Sequence, residues 1–251
     1  MIRQIDLEPD ATPQACAEAV QSSWPTAAVL HLKGVKPDGD LRAFYEEFFS
    51  HVGKAIPLAE DASMTNDRNK QRTGGIWFEV RYDPDIPDAY RHSSNAQPLH
   101  TDGSYIPSFP NAGILACQAM PEAGGATTFV DGSDIVEALR NERPDLLRRL
   151  EATDLPHARS GDRRVEPVIR YERGEPLLNW NYYCVDPACS QDLHALKQEF
   201  FDFLAASETI RERTRSVLLR PGEAVLWKDD RILHGRQAFN AHAPADAVRH
   251  R

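Results

Sequence analysis

Two side chains that bind metals stand two residues apart in Gln97-Pro98-Leu99-His100-Thr101-Asp102-Gly103-Ser104-Tyr105. On extended backbone the side chains at i and i+2 point to one face, so the imidazole of His100 and the carboxylate of Asp102 can reach one ion together. Two histidines and one carboxylate on one face of a metal, with open positions opposite, form the donor set that suits non-haem Fe(II). The candidate for the second histidine is His234, in Lys228-Asp229-Asp230-Arg231-Ile232-Leu233-His234-Gly235-Arg236. It follows the turn Arg220-Pro221-Gly222-Glu223 and a short apolar strand. A jelly roll closes the long gap between the two histidines, because a late strand returns beside an early one. His31, His51, His92, His157, His194, His242 and His250 stand in no such pattern and read as structural or surface groups.

The elements that must position these residues are legible from periodicity. Residues 9–23 are alanine-rich and read as a helix that Trp24-Pro25 ends, and 27–32 read as a strand stopped at Gly34. Leu41, Phe44, Tyr45, Phe48 and Phe49 recur at helical spacing behind Asp40, which is placed as an N-cap. Residues 59–75 are polar and aperiodic, the composition of a lid loop, and 76–82 look like a strand. Strands follow at 112–119 and 126–130, then helices at 134–140 and 144–152, the first with an Asp134/Glu137 pair resembling a capping box. A hairpin spans 165–171 and 177–180, and the longest helix spans 191–206 with Leu193, Leu196, Phe200, Phe203 and Leu204 inward. Short strands at 216–219 and 224–227 lead to His234. This order predicts a mainly β fold with flanking α-helices, a jelly-roll barrel with helical insertions at 133–152 and 191–206, and not a βαβ sheet.

Composition bounds the partners. With 251 residues the chain suits a single domain, and 38 acidic against 29 basic residues give a net charge of -9, which excludes non-specific nucleic-acid binding and attraction to anionic membranes. No apolar run approaches a membrane span, and residues 1–6 lack the apolar core of a signal peptide, so a cytoplasmic protein with a small-molecule substrate is expected. Cys16, Cys117, Cys184 and Cys189 form no CxxC pair and read as reduced thiols. Oligomeric state has no signature here.

Taken together, His100-Thr101-Asp102, Gly124-Gly125-Ala126-Thr127-Thr128, Arg220-Pro221-Gly222-Glu223, Trp227, Asp229-Asp230-Arg231 and His234-Gly235-Arg236 resemble the Fe(II)- and 2-oxoglutarate-dependent oxygenases of the taurine dioxygenase (TauD/TfdA) and clavaminate synthase-like group. The resemblance runs from about residue 27 to the C-terminus. It implies a double-stranded β-helix in which His100, Asp102 and His234 hold Fe(II). It implies that Thr127 helps to bind 2-oxoglutarate and that an arginine some 15 residues after the distal histidine pairs with the far carboxylate of that cosubstrate. Arg249 falls there and Arg251 is the alternative; the planar guanidinium fork suits a carboxylate. Related halogenases carry a small residue where Asp102 stands, so the resemblance implies oxygenation by O2 and not halogenation.

The activity implied is oxidation of an unactivated C–H bond of a small molecule, such as an amino acid or secondary metabolite, with 2-oxoglutarate converted to succinate and CO2. Hydroxylation leads, with desaturation, cyclisation and epoxidation as alternatives. Two other classes stand beside it: a jelly-roll protein that binds metal or ligand without turnover, and a cupin-type isomerase or hydrolase, against which Thr127 and Arg249 speak. Arg81, Arg91, Arg163 and Arg164 are candidates for an anionic substrate group, with surface ion pairs as their ordinary use.

Overall fold

The computed structural model describes residues 1–8, 10–35, 40–56, 77, 80–82, 90–107, 110–121 and 123–240. The expected lid at 59–75, together with Arg249 and Arg251, lies outside the described residues. In chain order the elements are β1 (Ile2–Asp6), α1 (Pro13–Ser23), β2 (Val29–Lys33), α2 (Leu41–Val52), β3 (Gln97–His100), β4 (Ala112–Ala116), β5 (Thr127–Asp131), α3 (Gly132–Glu142) and α4 (Pro144–Ala152). Then follow β6 (Asp154–Arg159), β7 (Asp162–Pro167), β8 (Ile169–Glu172), β9 (Glu175–Leu178), α5 (Gln191–Ala206), α6 (Glu208–Arg213), β10 (Arg215–Val217), β11 (Ala224–Lys228) and β12 (Ile232–Arg236). The composition is mixed and not mainly β: the helices are as extensive as the strands.

Two four-stranded sheets, ordered β1-β2-β11-β4 and β10-β5-β12-β3, lie face to face. The strand β11 shows why. Ala224, Val225, Leu226 and Trp227 are all buried, as a strand covered on both faces requires. Ala224 and Leu226 pack outward against Val20 of α1 and Tyr45 and Phe48 of α2, whereas Val225 and Trp227 pack inward against Phe129 of β5 and Ile232 of β12. The second sheet is covered outside by α3 to α6, with Val130 and Leu233 joining Leu139, Leu150, Trp180 and Phe200. Each fully buried side chain of this size contributes roughly 1.5–3 kcal/mol relative to an exposed one.

Caps fix several helix starts. The Thr12 side chain accepts from Ala15 N at 3.2 Å, so α1 begins at Pro13 and not near residue 9, while Asp40 caps α2 as expected, accepting from Ala43 N at 3.0 Å. The cap of α3 is Asp131, which accepts from Ser133 N at 3.0 Å. Asp134 and Glu137, expected to form a capping box, instead face Arg213 at 2.6 and 3.9 Å.

Other corrections concern strands. The expected strand at 76–82 is not one at Trp77 or 80–82, its described residues; Trp77 donates from Nε1 to Glu46 on α2 at 2.9 Å. The expected strand at 165–171 is divided at Val168 into β7 and β8, each in its own antiparallel hairpin. Sequence patterning also misses β1, β6 and α6. Pro156 inside β6 demotes that stretch, yet proline fits here because β6 is an edge strand of the two-stranded sheet it forms with β7.

Candidate metal centre

Antiparallel pairing of β12 with β3 sets His234 directly opposite His100, with ring centroids 4.3 Å apart and both residues 7 % exposed. Beyond His234 the ladder shifts register, and Gly235 permits it: a Cβ there would lie 2.6 Å from the Gln97 carbonyl oxygen. Asp102 converges on the two histidines by a different route from the one its spacing suggests. The strand ends at His100, and Asp102 lies in the following turn, so i, i+2 alternation along a strand does not aim it. The turn is instead tied down from outside. Thr101 N donates to the Trp180 carbonyl at 2.7 Å, Trp180 N donates to Thr101 Oγ1 at 3.0 Å, and Asn179 Nδ2 donates to the Ser104 carbonyl at 3.2 Å.

The donor set closes on one point. His100 Nε2 is 3.6 Å from Asp102 Oδ1, His234 Nε2 is 3.7 Å from Asp102 Oδ2, and one ligand atom from each of the three residues lies within 4.8 Å of the others. These gaps are too long for hydrogen bonds. They match donors about 2.0–2.2 Å from one shared ion, which sit roughly 3–4 Å from each other. His100 Nδ1 is 2.8 Å from the Pro98 carbonyl, which can only accept, so Nδ1 carries the proton and Nε2 keeps its lone pair. Burial lowers the His234 pKa, which favours the neutral imidazole that ligation needs. Burial raises the Asp102 carboxyl, but the imidazoles of His234 and His100 outweigh it and bring it to about 2.

Asp229 is the residue that sequence reasoning quoted in a motif and gave no role. It is fully buried, and each of its oxygens is engaged: Oδ1 accepts from Trp227 Nε1 at 2.8 Å and Oδ2 accepts from Asp102 N at 2.8 Å. His234 Nδ1 is 3.3 Å from Oδ1, within ion-pair reach though not in hydrogen-bond alignment, so the protonated side of this imidazole faces a carboxylate. Metal-ligating histidines are held this way, with the second nitrogen turned to a carboxylate or carbonyl. Burial and then the nearby Asp102 charge push the Asp229 carboxyl well above the ordinary range. The signal available in sequence was Trp227-x-Asp229 five residues before His234.

Thr127 heads β5, buried, opposite Arg236 of β12, while Phe129 stands opposite His234. Opposed residues of an antiparallel pair share a face, so Thr127 lies on the His234 face two residues along. Arg236, on that face too, donates to the carbonyls of Ser93 and Asn95. The arginine candidates separate. Arg163 pairs with Asp186 at 3.1 Å and Arg164 with Glu166 at 2.6 Å, both ordinary ion pairs. Arg91 donates from Nε to His92 Nε2 at 3.2 Å, and His92 Nδ1 is 3.0 Å from the Arg81 carbonyl, which makes buried His92 structural, as expected. His157, also buried, is structural as well.

Comparison with known proteins agrees with this geometry. Residues 3–250 match the model of the family described as taurine catabolism dioxygenase TauD, TfdA family. The chain is 30% identical over 210 residues to the gamma-butyrobetaine dioxygenase of Pseudomonas sp. (strain AK-1), covering 79% of this chain and 51% of that protein. It is 27% identical over 170 residues to the tyrosine isonitrile desaturase of Pseudomonas aeruginosa, covering 61% and 57%. The chain thus spans about half the length of the curated relatives it matches. Its fold is similar to that of an asparagine oxygenase solved with Fe(II), 2S,3S-3-hydroxyasparagine and succinate, with a TM-score of 0.66 at 15% identity over 96% of this chain and 89% of that one. It is also similar to the non-heme iron oxygenase OrfP solved with Fe, succinate and (3S)-hydroxy-L-Arg, with a TM-score of 0.65 at 13% identity over 92% and 77%. No helix among the described residues is long and apolar enough to cross a membrane. With residues 3–250 matched by the family model, the chain belongs to the taurine catabolism dioxygenase TauD, TfdA family.

Proposed function

We propose that this chain is an Fe(II)- and 2-oxoglutarate-dependent dioxygenase that oxidises a C–H bond of a small amino-acid-like molecule. The observation that carries it is the convergence of His100 Nε2, Asp102 and His234 Nε2 at ion-sharing distances. In the balanced reaction a substrate C–H, 2-oxoglutarate and O2 become C–OH, succinate and CO2, with desaturation, cyclisation and epoxidation as alternative fates of the same substrate. Fe(II), when bound, supplies the O2 chemistry, and three protein ligands leave it open positions.

The rest is the work of this chain's own residues. His100, Asp102 and His234 bind the metal. Thr127, on the His234 face, donates its hydroxyl to 2-oxoglutarate, and Arg249, with Arg251 as the alternative, pairs with the far carboxylate. The two facing sheets support the reading of a double-stranded β-helix in a single domain. The amino-acid-like substrate class is supported by solved neighbours holding hydroxylated asparagine and arginine and by a relative acting on tyrosine isonitrile. The reduced state of the four cysteines suits a cytoplasmic enzyme.

The test is anaerobic addition of Fe(II) and 2-oxoglutarate. A visible charge-transfer band of the chelate is expected, followed by succinate formation on admitting O2 with a substrate panel. Metal binding with neither band nor succinate across the panel would turn the reading into the non-catalytic jelly-roll alternative.

A further inference from the structure

We propose that Arg159 anchors an anionic group of the substrate, a carboxylate or phosphate, held between Arg159, Arg91 and Tyr105 on the Asp102 side of the metal centre. The inference rests on the dioxygenase reading for the word substrate, but the subsite itself rests on the hairpin geometry. Arg159 is the last residue of β6, and the chain turns at once through Ser160 and Gly161 (φ 54° and 88°) into β7. Side chains two apart on a strand share a face, so Arg159 points the same way as His157. That direction is known. His157 is fully buried, its Nε2 accepts from Asn181 N at 3.4 Å, and it bridges to Val185. Arg159 accordingly reaches the same segment, with Nη1 4.0 Å from Cys184 Sγ.

That segment is the one that ties down the Asp102 turn. Trp180 and Asn179 hold Thr101 and Ser104, and Cys184 lies beside Ser104 and within the field of Asp102. Tyr105, 8 % exposed, feels the charges of both Arg159 and Asp102. Arg91 comes from the turn before β3, and burial, then repulsion from Arg159, lower it to about 10.

The two guanidinium groups therefore lie close enough to repel, and Arg159 acts on Tyr105 in the turn that carries Asp102. Arg163 pairs with Asp186, and Arg164 and Arg170 share Glu166. Arg159 makes no ion pair among the described residues; even Asp162, opposite it on the ladder, is not within ion-pair distance. A partly buried cation without a carboxylate, beside a second cation and a metal-binding carboxylate, is the arrangement that an incoming anion completes, and the guanidinium fork fits carboxylate and phosphate oxygens.

The experiment is calorimetric titration of the protein, both metal-free and loaded with Fe(II) and 2-oxoglutarate without O2. The probes are L-amino acids and their N-acetyl derivatives, each beside its carboxamide, and uridine monophosphate beside uridine. The expected result is a binder whose acid binds about 10- to 100-fold more tightly than its neutral partner. Arg159→Gln should remove that discrimination, Arg159→Lys should restore part of it, and both should leave the chelate band and 2-oxoglutarate affinity within twofold. A carboxylate binder and a phosphate binder distinguish the two sources. The proposal is overturned if no acid is preferred over its neutral partner anywhere in the panel, or if Arg159→Gln abolishes the chelate band. A wild-type protein that shows no chelate band sinks the dioxygenase reading alone, because acid selectivity is scored independently of it.

Discussion

The two walls of this site are held in place by different means. The metal wall is mounted on sheet: His100 and His234 face each other across the β3/β12 ladder, and one buried carboxylate, Asp229, contacts both the Asp102 backbone and the His234 ring. The arginine wall is mounted on a two-stranded hairpin, β6/β7, pinned by His157 and by Asp186 N donating to the Pro156 carbonyl at 2.9 Å. With β12 held between β5 and β3, the sheet fixes ligand positions within the fraction of an ångström that metal coordination demands. A hairpin tip can vary its side chains without disturbing that ladder. The chemistry and the substrate preference are thus carried by separable elements, and substitutions should separate them.

The largest break is expected on the metal wall. His234→Ala should abolish stoichiometric Fe(II) retention and reduce 2-oxoglutarate turnover to background, measured by metal analysis and succinate release. Retained Fe(II) affinity with turnover would remove His234 from the ligand set.

Next in size is Asp229→Asn, which sharpens the comparison because it touches no metal. A carboxylate offers two accepting oxygens, used here by Trp227 Nε1 and Asp102 N, and the amide offers one. Fe(II) should bind about 10- to 100-fold more weakly, the range for loss of a partner behind a ligand. Substrate acid selectivity should persist at saturating Fe(II), in contrast to Arg159→Gln. Unaltered Fe(II) affinity in Asp229→Asn would leave Asp229 a packing residue.

The same division explains what was legible in the sequence. His100, Asp102 and His234 sit in local motifs, and the helices at 144–152 and 191–206 carry clear boundary signals, a first-turn proline in one and a strong apolar stripe in the other. Asp102 does lie beside the two histidines, but not through strand alternation, because its aim comes from Trp180 and Asn179, some eighty residues away. Asp229 and Arg159 were missed for a related reason. Nothing local tells a buried aspartate from the exposed Asp-rich turn that Asp229-Asp230 suggests, and Arg159 was hidden in a strand that Pro156 argued against. Arg163 and Arg164, chosen because they adjoin in a polar stretch, are neutralised by Asp186 and Glu166, partners that only the fold supplies.

The smallest effect concerns the hairpin's own anchor. Burial, the largest influence, and then the positive charges of Arg164 and Lys197 lower the His157 pKa to about 4, against an unfolded value near 6.5. Between those values the unfolded chain holds the proton and the folded one does not, so stability is fully present above about pH 6.5 and drains away as pH falls towards 4. One group displaced this far accounts for about 3 kcal/mol across the window. Chemical denaturation at pH 7, 6, 5 and 4 should show a steeper loss for the wild type than for His157→Gln, whose amide oxygen can still accept from Asn181 N without taking up a proton. Equal slopes in the two proteins would show that His157 is not the group protonated on unfolding. A flatter slope in the variant, with Fe(II) affinity unchanged at pH 7, would establish that the arginine wall has a stability of its own, separate from the ladder that holds the metal.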